Sequence, residues 1–275
     1  MSVAPAPFVY HPATAAELPV LVSIPHTGLA MPPEVLRDLA NDEMRAGAMA
    51  DWHLDSLYAF LPELGIDVIH AVYYRFVIDL NRPPAAQPLY PGRFETALVP
   101  LETFQGEPVY ARPPSAAEVK RRLDLYYAPY HAALARRLEE KVAKFGHCYI
   151  VDAHSVESRP SRLHGTLVKD IFLGDRDGTT CDPWFTDLID GACVRRGLKV
   201  SRNEPYKGGY ITAHYGGGDY VQSLQIEMCQ RLYMVEGEPR SAVGSARFLE
   251  TQRLLRDVFG DLADAVSAGQ CVRRL

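Results

Sequence analysis

The chain has 275 residues, 47% of them hydrophobic and 23% charged, with a net charge of −5, which is enough to bury the core of one domain over 1–275 without requiring two. The mild acidity and the scatter of Lys and Arg through predicted helices argue against nucleic acid as a partner and for a small solute. No run approaches the ~20 apolar residues of a membrane span and the first residues lack the regions of an export signal, so a soluble, cytoplasmic protein is expected.

Residues 18–25 form a continuous apolar run with β-branched content, the pattern of a buried strand, which the chain leaves through His26, Thr27 and Gly28. Met44, Ala48, Leu54, Leu57, Tyr58 and Leu61 recur at helical spacing and predict a helix over 43–61, ending before Gly65, with Asp51, His53 and Asp55 on or beside it. Runs 66–72 and 74–80 read as strands, the second halted by Asn81, Arg82, Pro83 and Pro84. The stretch 82–114 holds eight of the 21 prolines and shows no sustained period. A loop of that length is usually functional, and it is expected to arch over the site.

Ser115 and Glu118 form a capping box that opens a helix running through Lys144 and closing at Gly146. Strands are expected at 148–153, followed by His154, and at 167–173. Asp182, Pro183 and Gly197 bracket a helix at 183–196. Strands at 198–202 and 221–228 flank a glycine-rich turn, and 241–268 reads as a helix with Val243, Phe248, Leu254, Leu255 and Phe259 on its apolar side. Strands alternating with helices predict an α/β layered fold.

Four polar clusters stand at the ends of these runs or inside them: His26, Asn81 with Arg82, His154, and Glu227. In an open α/β sheet ligands bind where strands end, so the four point to one shared site. A catalytic zinc takes three ligands from His and Asp or Glu and keeps a fourth position for water. His26 and His154, each directly after a strand and beside small or hydroxyl residues, are the imidazole candidates. Asp51 is the third candidate, with His53 as the alternative, because positions two apart on a helix do not share a face.

Glu227, acidic within a buried strand, is either ion-paired or moves a proton beside the metal. Arg82 offers a planar fork that matches a carboxylate. Arg75 serves the same purpose or pairs with Asp79; Lys207 places a charge near the site or is simply solvated; His214 stabilises an oxyanion or caps the turn. Ser155 lies in no GxSxG elbow, no HExxH or GxxxxGK[ST] motif occurs, and the glycines at 216–218 carry little signal. Cys148, Cys181, Cys193, Cys229 and Cys271 are odd in number and never spaced as CxxC, which fits reduced thiols. Cys229 reads as inert packing, as do Tyr73, Tyr74, Tyr126, Tyr127 and Tyr130.

The ordered set SIPHTG (23–28), ADWHLDSLY (50–58), RFVIDLNRP (75–83), VDAHS (151–155), PYKGGYITAHYG (205–216) and LQIEMCQRLYM (224–234) resembles the N-formylglutamate amidohydrolase, or N-formylglutamate deformylase, family over about residues 18–235. The resemblance implies a fold similar to zinc carboxypeptidases and aspartoacylases: a phosphorylase/hydrolase-like sheet, mixed but mostly parallel, flanked by helices. It implies hydrolysis of N-formyl-L-glutamate to formate and L-glutamate in histidine breakdown. It also implies one Zn2+ per chain, or another divalent ion, on His26 and His154, with Asn81 and Arg82 holding substrate carboxylate and Glu227 as general base.

The wider superfamily carries HxxE at the first ligand motif, where this chain has His26, Thr27, Gly28 and Leu29. The acidic ligand must therefore come from elsewhere, and Asp51 is the natural substitute. The expected reaction is attack of metal-activated water on the formyl carbonyl while Glu227 shuttles the proton and Arg82, helped by Arg75 or Lys207, holds the carboxylates. The alternatives are a zinc amidohydrolase or carboxypeptidase-like enzyme for another N-acyl acidic amino acid, and an inactive carboxylate-binding protein with no need of a metal.

Overall fold

A computed structural model describes residues 5–85, 88–90, 92 and 94–269. Cys271, residues 86, 87, 91 and 93 of the proline-rich stretch, and the first four residues of the chain lie outside the described residues. Among the described residues, one sheet comprises β1 (Phe8–His11), β2 (Val20–Ile24), β3 (Asp67–Ala71), β4 (Cys148–Val156), β5 (Ile171–Gly174), β6 (Val200–Arg202) and β7 (Val221–Cys229). Their spatial order is β1-β3-β2-β4-β7-β5-β6. Parallel pairing joins β3 to β2, β2 to β4, β4 to β7 and β5 to β6, while β1 and β5 run antiparallel to β3 and β7. This is the mixed, mostly parallel sheet that the family resemblance implies, within the α/β class that the alternation of elements predicts.

Helices cover both faces, which is why the central strands are continuous apolar runs; every residue of β2 is buried. The helices are α1 (Pro33–Asp38), α2 (Asp42–Ala46), α3 (Leu54–Leu57), α4 (Ala116–Arg122), α5 (Ala128–Phe145), α6 (Pro183–Arg195), α7 (Tyr210–Tyr215) and α8 (Ala246–Ser267). Val20, Val22, Ile24, Val151, Ala153, Leu224 and Ile226 pack with Phe185 of α6 and Phe259 of α8. Leu21, Ile69, Cys148 and Ile150 pack on the opposite face with Tyr130, Leu134 and Leu138 of α5. Strand pleating therefore sends Asp152 and His154 of β4, and Gln225 and Glu227 of β7, to the α5 side.

Several predicted elements differ from what forms. The helix expected over 43–61 is broken into α2, α3 and a 3-10 turn at Leu61–Leu64. Gly47 and His53 take positive φ, and the segment between them is held instead by Met49 N–H donating to the Tyr74 hydroxyl and Asp51 N–H donating to the His26 carbonyl. The run 74–80 is buried but forms no strand, because β1 and β2 already flank β3; its backbone is satisfied locally, Tyr74 N–H donating to Ala30 and Asp79 N–H to Leu98. An apolar run reports burial more securely than backbone form.

The helix from Ser115 contains a π-helical turn at Leu123–Tyr127 just before Pro129, which has no N–H to give and crowds the preceding turn. Strands β5 and β6 are shorter than predicted, β4 and β7 are longer and take His154 into the strand itself, and the last helix begins at its Ser245 cap rather than at 241. The edge strand β1 and the short α7 in the glycine-rich turn carry no clear periodicity, and the sequence reading passes over both. No helix among the described residues is long and apolar enough to cross a membrane.

Candidate active site

The carboxyl ends of β2, β4 and β7 open onto a cavity of about 410 Å³. His26, in the turn after β2, and His154, near the end of β4, have ring centroids 4.8 Å apart. Asp51 reaches them from the irregular segment between α2 and α3, with Oδ2 3.0 Å from His154 Nδ1 and 3.7 Å from His26 Nδ1. One ligand atom from each of the three lies within 4.8 Å of the other two, and all three residues are buried. His53 is not part of this group: its Nε2 meets the Pro239 carbonyl at 2.7 Å. Asp55 is likewise engaged elsewhere, accepting from the Thr27 hydroxyl.

The far nitrogens of the two imidazoles are both backed by carboxylates. His26 Nε2 is 2.7 Å from Asp79 Oδ1, and His154 Nε2 is 2.9 Å from Asp152 Oδ2. Carboxylates only accept, so each Nε2 carries a proton and Nδ1 is the nitrogen turned to the shared centre, where the proton that His154 Nδ1 gives Asp51 is the one a metal displaces. Two Nδ1 atoms and a carboxylate oxygen facing one another in a buried place can share a cation, and a carboxylate behind each imidazole is the usual support of such a centre. The donor set therefore fits a divalent metal.

Electrostatics agree. Burial opposes the charge on Asp51, but hydrogen bonds from His154 and His26 outweigh it and hold its carboxyl below the ordinary value. Burial also disfavours a charged His154, yet Asp152 and Asp51 together raise it well above the ordinary imidazole range. A metal entering here displaces a proton, so its binding depends on pH.

Glu227 stands beside His154 in register on the neighbouring strand. Burial pushes its carboxyl up to about 8, against the lowering charge of His154 and with Asp51 adding to the rise. A carboxyl poised there exchanges protons near neutrality, as a general acid or base must. Its Oε2 accepts a hydrogen bond from Gln225 Nε2 at 3.0 Å.

Of the cationic candidates, Arg75 and Arg82 both line the cavity. Arg75 pairs with Asp79 at 2.7 Å, as one reading of the sequence expects, and its buried Nε has no protein partner. Arg82 donates from Nε to Thr96 and from Nη1 to the Asn81 carbonyl. Asn81 is an organiser: its side-chain amide donates to Asp152 and its Oδ1 accepts from Ile211 N–H. Lys207 also borders the cavity, but its ammonium pairs with Asp177 at 2.7 Å, the solvated alternative. His214 is exposed on α7, stacked on Tyr210, and is not among the cavity-lining residues.

The predicted loop does arch over the site: Leu89, Tyr90, Gly92, Phe94, Glu95 and Phe104 form part of the wall. Tyr90 donates from its hydroxyl to the Gly208 carbonyl and so ties this roof to the loop before α7. The sequence assigns no role to Asp152, places Gln225 on the face of Glu227 without a role, and offers Asp79 only as a partner for Arg75. A signal exists for the first two: each precedes a functional candidate by two positions in a strand and must share its face.

Residues 18–234 match the family model described as N-formylglutamate amidohydrolase. The chain is 40% identical over 226 residues to an N-formylglutamate deformylase of Pseudomonas putida, covering 81% of this chain and 84% of the relative, and 38% identical over the same length to one of Pseudomonas aeruginosa. The crystal structure of an N-formylglutamate amidohydrolase from Ralstonia eutropha JMP134 superposes with a TM-score of 0.83 at 33% identity, covering 96% of this chain and 99% of that one. A second crystal structure, from Agrobacterium tumefaciens, shares the fold with a TM-score of 0.71 at 21% identity, covering 94% of this chain and 96% of that one.

Proposed function

This chain belongs to the N-formylglutamate amidohydrolase family, and from that premise we propose that it is one metal-dependent amidohydrolase domain over 1–275 that hydrolyses N-formyl-L-glutamate to formate and L-glutamate. The observation that carries the reading is the convergence of His26, Asp51 and His154 beside Glu227 in one cavity. The His and Asp donors suit zinc. Held by His26, Asp51 and His154, the ion would supply a Lewis acid for a carbonyl and would lower the pKa of water from 15.7 to about 7.

The protein's own groups perform the remaining work. Asp79 and Asp152 hold the two imidazoles in the tautomer that leaves Nδ1 free. Glu227 takes the proton from the attacking water and returns it to the nitrogen as the C–N bond breaks, so the products leave as formate and a free amino group. Arg82 holds a substrate carboxylate, helped by Arg75 or Lys207, both of which line the cavity and keep an ion pair of their own, with Asp79 and Asp177. Phe94 and Phe104 close the apolar side of the cavity and limit water around the reacting amide. The unpaired, buried thiols Cys148, Cys181, Cys193 and Cys229 suit a reducing cytoplasm.

Purified protein supplied with zinc should release formate from N-formyl-L-glutamate, and more slowly or not at all from the N-acetyl and N-succinyl derivatives of glutamate and aspartate. No formate, with or without added metal, rejects the assignment. Faster turnover of an acetyl or succinyl substrate moves it to another N-acyl acidic amino acid.

A further inference from the structure

Glu227 is aimed by a neighbour that the reaction itself does not consume. Gln225 lies two residues earlier on β7, on the same face, and is buried. Its Oε1 accepts the Gly209 N–H at 2.6 Å and its Nε2 donates to Glu227 Oε2 at 3.0 Å. The direction of this amide is fixed by chemistry, because a backbone N–H is a donor and can face only the amide oxygen. The nitrogen must then face Glu227.

Gly209 cannot drift away from this arrangement. A Cβ there would lie 2.3 Å from Asn81 Nδ2, so the backbone is pressed against the amide that donates to Asp152. The adjoining strand repeats the device: on β4, Asp152 precedes His154 by two positions, shares its face and fixes its Nε2. Each strand thus carries a working side chain and, two residues before it, the polar group that orients it. Asp152 accepts from an imidazole, whereas Gln225 donates to a carboxylate, as each partner requires.

We propose that Gln225 is a positioning residue that fixes the Glu227 carboxylate by its Oε2, leaving Oε1 as the oxygen that carries the proton between water and the departing nitrogen. The proposal rests on the assignment of Glu227 as the proton shuttle. It also links the base to the cavity roof, since Gly208 beside Gly209 receives the Tyr90 hydroxyl.

The test is a double-mutant cycle on formate release from N-formyl-L-glutamate, using Gln225→Met, Glu227→Gln and the pair, each checked for metal content and melting temperature. Gln225→Met should lower kcat by about 10- to 100-fold with KM within about threefold, because the lost hydrogen bond acts on proton transfer and not on substrate capture. In the Glu227→Gln background the same change should cost nothing further, since the group it positions is gone. A purely structural Gln225 would give additive losses, or a rise in KM with kcat intact, and either overturns the proposal. Gln225→Leu likewise removes the donor without adding an ionisable group, and serves if the methionine variant fails to fold; wild-type kcat in that variant is equally fatal. A wild-type enzyme that releases no formate rejects the parent reading and this inference with it, whereas an active wild type with an additive cycle rejects this inference alone.

Discussion

At the scale of single residues, the proposed roles separate groups that would hold a metal from the group that would move a proton. Asp51→Asn weakens an anionic ligand and should lower bound zinc and activity together, while Glu227→Gln should keep its zinc and lose about 10²- to 10⁴-fold in kcat. Elemental analysis beside kinetics checks both, and a Glu227→Gln protein without metal would place that carboxyl among the ligands. The raised Glu227 carboxyl also has a consequence for stability. Its ordinary value is 4.5 and the folded value about 8, so between these the native state holds a proton that the unfolded chain has released. Its stabilising contribution is full below about pH 4.5 and fades as pH rises through about 8. Urea unfolding of chelator-treated protein should therefore weaken more from pH 5 to pH 8 in the wild type than in Glu227→Gln. Parallel curves would contradict a protonated, buried Glu227.

At the scale of elements, the site depends on how chain segments leave their strands. Gly28, two residues after His26, passes so close to the 72–73 segment that an added Cβ would lie 2.5 Å from the Val72 carbonyl carbon. No rotamer relieves a clash with backbone, so Gly28→Ala must shift the whole β2 exit. The variant should lose about 1 to 3 kcal/mol of stability and bind zinc more weakly, because His26 moves with the turn. Urea midpoints and a zinc titration decide; an unchanged affinity would mean that His26 is held independently of that crossing. The broken helix at 43–61 belongs to the same scale. A regular helix would satisfy the backbone of Asp51 internally, whereas the observed segment gives that N–H to the His26 carbonyl and so binds one ligand directly to another.

For the molecule as a whole, chemistry and cohesion occupy opposite ends of the sheet. Where β2 and β3 begin, Lys141 of α5 is buried with its ammonium 2.9 Å from Asp67, 3.0 Å from Glu17 and 2.8 Å from the Leu18 carbonyl. Lys141→Ala leaves the buried Asp67 charge with only the Tyr10 hydroxyl and the Ala13 N–H and should cost about 3 kcal/mol without altering kcat of the folded fraction. Urea unfolding with kinetics below the transition tests this, and a changed kcat would show that the two ends communicate. The layered α/β class, the central strands, the capped helix after Ser115 and the residues His26, His154 and Glu227 are all legible in the chain, because burial and strand-end polarity leave local patterns. What the folded molecule alone decided is where backbone and side chains turn once distant segments meet: the buried 74–80 run without a strand, the choice of Asp51 over His53, and the engagement of Lys207 by Asp177. Those outcomes depend on which neighbour a group finds across long sequence separations, and local periodicity carries no record of such neighbours.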